Sequence, residues 1–282
     1  MRKFRDLFNG DMITTEYEIR VSDPANRPSR PVKIALLSDL HDSASPALAA
    51  KLQEQIGAFG PDMVLCAGDM VTAKAGIARM RHGLRLLDTL CADYPVYLSD
   101  GNHESRLRMY PERYPGMYRY YRSRLTAAGA VVLNNRSRIV RVSGMRIMLS
   151  GFVQELDDYN RIHPGKISAE DLVKALGDHT KEYRHKYHLL LAHMPDHFNA
   201  YAQWGADLTV SGHLHGGIIR LPHLGGVFGG SLKPFPKYDK GMFNMRDEKG
   251  KLHHMIVSAG LGNHTLTFRL NNPPELVLIR LI

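Results

Sequence analysis

Residues 32–42 read VKIALLSDLHD, and the architecture follows from how they and their echoes further along the chain are read. The run from Val32 to Ser38 is short, apolar and β-branched at its start, which predicts a buried strand ending at Asp39. Leu48, Leu52, Ile56 and Phe59 then recur at helical spacing, with Ser45-Pro46 as a start signal and Gly60-Pro61 as a stop. Asp62 to Ala67 gives the next strand and Ile77 to Leu90 the next helix, with Met80, Leu84, Leu87 and Leu90 on one face. Pro95 to Leu98 is a third strand. This alternation argues for βαβ units and a mainly parallel sheet, whose ligand-binding loops lie at the carboxyl ends of its strands.

The three loops so placed are Ser38-Asp39-Leu40-His41, Gly68-Asp69-Met70-Val71 and Gly101-Asn102-His103-Glu104. All three carry Asp, Asn or His. Further on, Arg106 to Gly129 is rich in Arg and Tyr and reads as helix interrupted by Pro111 and Pro115, either a solvated surface element or a cap that meets an anionic substrate. Ala130–Leu133, Ser137–Val142 and Met145–Phe152 read as antiparallel strands with a turn at Ser143-Gly144, and Ser168 caps a short helix to Leu176. His188 to Ala192 is a strand running into His193, and Leu208 to Ser211 runs into Gly212-His213-Leu214-His215. Met255–Ala259 and Glu275–Ile282 supply two more strands. With no repeat, low-complexity tract or linker, residues 1–282 are expected to form a single domain.

Composition narrows the class. The chain is 44% hydrophobic, ample for a large core, and its two cysteines, Cys66 and Cys91, sit in apolar surroundings and exclude a disulfide framework. Nowhere do about 18 apolar residues run together, so a soluble, cytoplasmic protein is expected. A formal charge of +9 favours anionic partners, with peripheral contact to an anionic membrane compatible with it. Nucleic acid is not expected as a partner; a nuclease would need a groove lined with Lys and Arg, and the Arg/Tyr stretch keeps that alternative open beside a phosphomonoesterase and a non-catalytic metal-binding scaffold. No G-x-x-x-x-G-K-[ST] and no H-E-x-x-H occurs, which removes nucleotide-loop phosphoryl transfer and the common zinc-protease pattern.

Five strand ends thus present Asp39 and His41, Asp69, Asn102 with His103, His193, and His213 with His215. A strand-borne pair at i and i+2 points two side chains to one side, so D-x-H and H-x-H can each aim two heads into one cavity. Carboxylate, imidazole and amide oxygen together suit Mn, Fe or Zn, and more ligands are on offer than one ion can use. Two ions about 3.5–4 Å apart and bridged by a carboxylate form the clamp used for in-line displacement at phosphorus. Asp69, on the middle strand, is the central choice for the bridge. The remaining histidines, among them His163, His179, His185, His223 and His264, read as surface or packing residues, and Asp42 as a helix cap or a carboxylate behind the ligands.

The ordered set D-x-H, G-D, G-N-H-E, H and G-H-x-H, spanning Asp39 to His215, resembles the full signature of the calcineurin-like metallophosphoesterases. The stretch Gly212 to Pro222, with Arg269 and Pro274-Glu275, is similar to the bacterial branch of YkuE- and YaeI-type phosphoesterases, which has been linked with lipid-type substrates such as UDP-diacylglucosamine. The resemblance implies a four-layer α/β sandwich of two mixed β-sheets flanked by helices. It implies two divalent metal ions, one on Asp39, His41, Asp69 and His215 and the other on Asp69, Asn102, His193 and His213. It makes His103 and Glu104 the catalytic pair, His103 addressing the phosphate or leaving oxygen and Glu104 polarising its far nitrogen. The implied activity is hydrolysis of a phosphate ester, a diester or diphosphate ester favoured over a monoester, by metal-activated hydroxide. Arg269 is expected either to touch the substrate phosphate or to make a surface salt bridge, and the glycines at 216–217, 225–226 and 229–230 to form a turn-rich loop.

Overall fold

The structure, a computed structural model, describes residues 11–159, 165–178, 186–217, 219–221, 224–227, 235–263 and 269–282. His163, His179, His185, His223, His264 and the Gly229-Gly230 pair lie outside the described residues. Two six-stranded mixed sheets face each other. In the first, β1 (Ile13–Ile19) precedes the parallel run β2 (Val32–Leu37), β3 (Met63–Ala67), β6 (Val96–Ser99) and β7 (Val131–Val132), with β16 (Glu275–Leu281) between β1 and β2, antiparallel to β2. In the second, β9 (Met145–Phe152), β10 (Tyr187–Ala192), β11 (Leu208–Ser211) and β15 (Leu252–Val257) run parallel, edged by antiparallel β8 (Arg136–Val142) and β14 (Gly241–Arg246). Two small ribbons complete the strands, β4 (Thr72–Lys74) with β5 (Ile77–Arg79) and β12 (Arg220–Leu221) with β13 (Gly225–Gly226).

Period-two alternation builds the layers. Val32, Ile34 and Leu36 face inward and meet Ile147, Leu149, Leu189 and Leu191 of the other sheet in one buried cluster. Ala35 and Leu37 face outward and pack against Leu52 and Ile56 of α1 (Pro46–Phe59) and Leu84 and Leu87 of α2 (Arg81–Asp93). Leu107 of α3 (Asn102–Met109) and Tyr121 and Leu125 of α4 (Met117–Ala128) extend that layer. Behind the second sheet, Leu172 of α5 (Ala169–Leu176) and Tyr201 and Trp204 of α6 (Phe198–Trp204) cover Phe152, Leu190 and Ala192. The result is helices, sheet, sheet, helices, the four-layer α/β sandwich anticipated above.

Helix ends follow local chemistry. Ser45 Oγ accepts the N–H of Leu48 at 3.2 Å, and Gly60 closes α1 at φ 62°. The second helix begins at Arg81 and not at Ile77, because Ile77–Arg79 pairs with Thr72–Lys74 across a tip at Ala75 and Gly76, both with positive φ. Its first turn is capped from a distance: Asp42 Oδ1 accepts the N–H groups of His82 (2.6 Å) and Gly83 (2.8 Å). The expected strand over 130–133 is also corrected, since Val131–Val132 pairs parallel with β6 and only β8 and β9 form the antiparallel hairpin. Helix interrupts at Pro111 and Pro115 as anticipated. Among the described residues no helix is long and apolar enough to cross a membrane.

Candidate metal centre

The carboxyl ends of β2, β3 and β6 in one sheet and of β10 and β11 in the other meet at one edge of the sandwich. There the structure brings together all the residues singled out above. Asp39 Oδ1 lies 3.4 Å from His215 Nε2, 3.8 Å from His193 Nε2 and 3.9 Å from His41 Nε2. Asp69 Oδ2 lies 3.2 Å from His193 Nε2, 3.9 Å from His41 Nε2 and 4.0 Å from His103 Nε2. His213 Nδ1 lies 3.0 Å from the Asn102 amide. Three groups of donors each fall within 4.8 Å: Asp39, His41 and His215; Asp69, His193 and His213; and His41, Asp69 and His103.

Strand alternation is not what aims the D-x-H and H-x-H pairs. Asp39, His41, Asp69, His213 and His215 all lie past their strands and adopt positive φ, at 49°, 49°, 55°, 71° and 52°. A residue with a Cβ occupies that region at a cost of about 1–3 kcal/mol, so the convergence is held by the surrounding packing. Two glycines allow the close approach. A Cβ on Gly212 would overlap the side chains of Ser38 and Asp39, and one on Gly101 would overlap the Asp69 carboxylate.

Tautomers separate the histidines into two kinds. His193 Nδ1 is bound to the Ala67 carbonyl at 2.6 Å and donates to it, while His215 Nδ1 lies between the Gly262 carbonyl at 3.2 Å and the Arg269 guanidinium at 3.3 Å. In the neutral ring the His193 Nε2 lone pair then faces the carboxylates of Asp69 and Asp39. His41 and His215 stack at 10° with their Nε2 atoms 3.0 Å apart. Acceptors facing acceptors at such distances need a proton or a cation between them, and this donor set of imidazole nitrogen and carboxylate oxygen fits a divalent transition metal. His103 is the reverse case. Its Nδ1 accepts the backbone N–H of Ala73 at 2.8 Å, so the neutral ring carries its hydrogen on Nε2 and offers a donor to the site.

Burial and neighbouring charges set the ionisation of these groups. Desolvation pushes the Asp39 carboxyl up to about 6 against the pull of His193. For Asp69 burial acts in the same sense, but His193, His103 and His41 together outweigh it and hold the carboxyl well below its ordinary value. Burial lowers and the two carboxylates raise His193, to a net value of about 10.

Two expectations need correction. Glu104 does not polarise the far nitrogen of His103: that nitrogen takes Ala73, while the Glu104 carboxylate accepts the N–H groups of Asp69 (2.9 Å), Gly101 (2.9 Å) and Val71 (3.1 Å). Its three-residue offset from Gly101 makes it an acceptor that clamps the G-D and G-N-H-E loops together. Arg269 neither reaches outward nor pairs on the surface. It is 3% exposed and donates to the carbonyls of Ala259 and Gly262 and to Asn263 Oδ1, bracing the carbonyl beside His215. The glycines after His215 are pinned, with Asn272 Nδ2 bonded to the carbonyls of His215 (2.5 Å) and Gly217 (2.6 Å). Asp42, by contrast, is the helix cap it was read as.

Sequence reading passed over several contributors. Ser38 Oγ donates to Asp39 Oδ2 at 2.5 Å. Tyr159, at the end of a short 3-10 turn, lies with its ring centroid 5.4 Å from His213 and 6.2 Å from His193. Arg106 stands beside Asn102, whose amide spans two environments. One end faces His213 Nδ1 at 3.0 Å and Asp69 Oδ2 at 3.2 Å, the other faces Arg106 Nη1 and Nη2 at 3.0 and 3.1 Å. With its oxygen toward the guanidinium and its NH₂ toward His213 and Asp69, both ends of the amide are satisfied. Only the Tyr159 contact joins separate loops; Ser38 is the chain neighbour of Asp39, and Arg106 follows Asn102 by one turn of α3.

Residues 32–217 match the family model of the calcineurin-like phosphoesterases. Similar proteins include the metallophosphoesterase YkuE of Bacillus subtilis (strain 168), 27% identical over 225 residues covering 78% of this chain and 68% of that one. The phosphodiesterase YaeI of Escherichia coli (strain K12) is 25% identical over 259 residues, covering 89% and 83%. The UDP-2,3-diacylglucosamine pyrophosphatase LpxG of Chlamydia muridarum is 24% identical over 287 residues, covering 88% and 83%. The fold is similar to that of the Haemophilus influenzae NAD nucleotidase NadN, with a TM-score of 0.52 at 16% identity over 82% of this chain; the chain spans 45% of that protein. Because the matched span runs from the first residue of β2 to the glycine pair after His215 and encloses every converging residue, this chain belongs to the calcineurin-like phosphoesterases and is a metallophosphoesterase.

Proposed function

We propose that the chain hydrolyses a phosphodiester or diphosphate ester at a centre that holds two divalent cations with Asp69 shared between them. The observation that carries this reading is the position of Asp69 Oδ2, 3.2 Å from His193 Nε2 and 3.9 Å from His41 Nε2, which joins two groups of imidazoles through one carboxylate. Asp39, His41, Asp69 and His215 would hold one ion, and Asp69, Asn102, His193 and His213 the other. His103 groups with His41 and Asp69 by distance, but its Nε2 carries hydrogen where a ligand needs a lone pair, so it is left out of both sets. Mn, Fe and Zn all suit the donors.

Cations bound there supply Lewis acidity at the phosphoryl oxygens and lower the pKa of a water to the neutral range. The chain's own groups then divide the work. His103 holds its Nε2–H toward the site and donates it to a phosphoryl oxygen as negative charge builds there. Glu104 keeps the Asp69 and Gly101 backbone in register, so that bridge and donor stay at a constant separation. Tyr159 covers the His193 and His213 rings on one side.

A diester or diphosphate ester is favoured by two relatives, one named a phosphodiesterase and one a UDP-2,3-diacylglucosamine pyrophosphatase, and by the +9 charge of the chain. The test is a panel on metal-loaded protein: bis-p-nitrophenyl phosphate, p-nitrophenyl phosphate and a nucleotide diphosphate lipid, with elemental analysis alongside. Two ions per chain and slower turnover of the monoester are expected. A folded protein that saturates at one ion would sink the dinuclear scheme, and a monoester preferred by about tenfold or more would overturn the substrate class.

A further inference from the structure

A groove of about 640 Å³ lies between the start of α2 and α4, walled by Arg79, Arg81, Arg85 and Arg124 with Met117 and Tyr120. It starts beside the metal centre, since Asp42, next in the chain to His41, forms part of its wall. The acidic groups of the wall are already engaged: Asp42 Oδ1 caps α2, and Asp88 pairs with Arg124 at 2.5 Å. Arg79, Arg81 and Arg85 are exposed and have no side-chain hydrogen bond or ion pair among the described residues. Beside these cations large apolar side chains stand in water. Tyr120 is 48% exposed, Met117 38%, and Ile77, adjacent to the wall residue Ala78, 55%.

Unpaired arginines alone would suit any polyanion. Unpaired arginines interleaved with exposed Ile, Met and Tyr suit a narrower partner, because a soluble polyanion offers nothing to the apolar side chains. The headgroup region of an anionic bilayer offers both: phosphates for the guanidinium groups, the acyl boundary for Ile77 and Met117, and the interfacial level that Tyr prefers. We propose that this groove and its rim dock the protein on an anionic lipid surface, which brings the neighbouring metal centre to phosphate esters presented there. In naming where substrate is met the proposal rests on the phosphoesterase reading above; docking itself is measured without turnover.

The experiment is flotation of the full chain with vesicles of equimolar phosphatidylglycerol and phosphatidylcholine, against vesicles of phosphatidylcholine alone. Binding to the anionic vesicles only is expected. Arg79→Gln/Arg81→Gln/Arg85→Gln should weaken it on the order of a hundredfold, from roughly fivefold per charge. Ile77→Ser/Met117→Ser/Tyr120→Ser should weaken it as well and leave a residue of binding that salt abolishes. Both variants should hydrolyse soluble bis-p-nitrophenyl phosphate as the parent does. Absence of anionic-vesicle binding, binding that neither variant alters, or retention of single-stranded DNA by these arginines without vesicle binding would overturn the proposal. Flotation that persists in a protein that hydrolyses no ester upholds docking and overturns the phosphoesterase reading alone.

Discussion

The backbone N–H of Ala73 points at Nδ1 of His103 over 2.8 Å, and this one contact sets which nitrogen of the ring carries hydrogen. Ala73 lies on the β4–β5 ribbon and His103 in the first turn of α3, so the contact ties the ribbon to the loop that follows β6. A proton placed on Nδ1 would set two N–H groups against each other. His103 therefore serves as a hydrogen-bond donor through Nε2.

From this follows a prediction about leaving groups. His103→Ala should keep metal content and lower kcat by about 10²–10³, the usual loss for one donor to a developing oxyanion. The loss should be similar for p-nitrophenol and for a poor leaving group such as an aliphatic alcohol, because the hydrogen bond goes to charge at phosphorus. A loss that vanished with p-nitrophenyl esters would return His103 to the role of general acid.

Glu104→Gln should be a stability variant before it is a catalytic one. The amide cannot accept all three of the N–H groups of Asp69, Val71 and Gly101, and its own NH₂ opposes at least one of them. A cost of about 1–3 kcal/mol is expected from the buried donor left unmatched. Denaturant unfolding of the metal-free variant measures it. Unchanged stability with reduced turnover would mean that Glu104 acts on His103 after all.

Metal affinity should climb with pH in two regimes. His193 in the ion-free protein is raised to about 10, so at neutral pH a cation must displace its proton and affinity rises with pH until about 10. Asp39 is raised to about 6, so below that pH a second proton is displaced and the fall in affinity steepens. Calorimetry in buffers of different ionisation enthalpy reads the protons released. Release that is constant from acid to alkaline pH would contradict both assignments.

If Asn102 ligates a cation as proposed, Arg106 competes with that cation for the amide oxygen, because the guanidinium sits 3.0–3.1 Å from the end of the amide that faces away from His213. Arg106→Ala should tighten the ion held by His193 and His213 by about tenfold, the worth of one lost charge-assisted hydrogen bond. Competition with a metal-sensitive dye measures it. Weaker binding in the variant would mean that Arg106 supports the amide in its ligating orientation.

Much of the layout was legible because short apolar runs, helical periods and Gly-Pro stops are local signals. Asp39, Asp69, Asn102, His193 and His215 could be placed at strand ends once the βαβ rhythm was seen, since such sheets gather their loops at the carboxyl edge. Two local readings failed for a reason of the same kind. Ile77 to Arg79 has helical spacing with Met80 but pairs with Thr72–Lys74, and Val131–Val132 was free by sequence to join either sheet. Strand pairing is a choice between distant partners, which one window of sequence does not contain.

The sequence by itself determined the ligand chemistry, since oxygen and nitrogen donors in a set order along one chain admit few other uses. Tertiary structure alone decided what each group does. Glu104 and His103 are neighbours in the chain, yet one braces Asp69 and the other leans on Ala73. His193 and His103 are the same residue type, yet a carbonyl at Nδ1 makes a lone pair of one Nε2 and an N–H at Nδ1 makes a donor of the other. The physical reason is that an imidazole takes its tautomer from whatever hydrogen-bonds its far nitrogen, and that partner is a backbone group brought from another loop by folding.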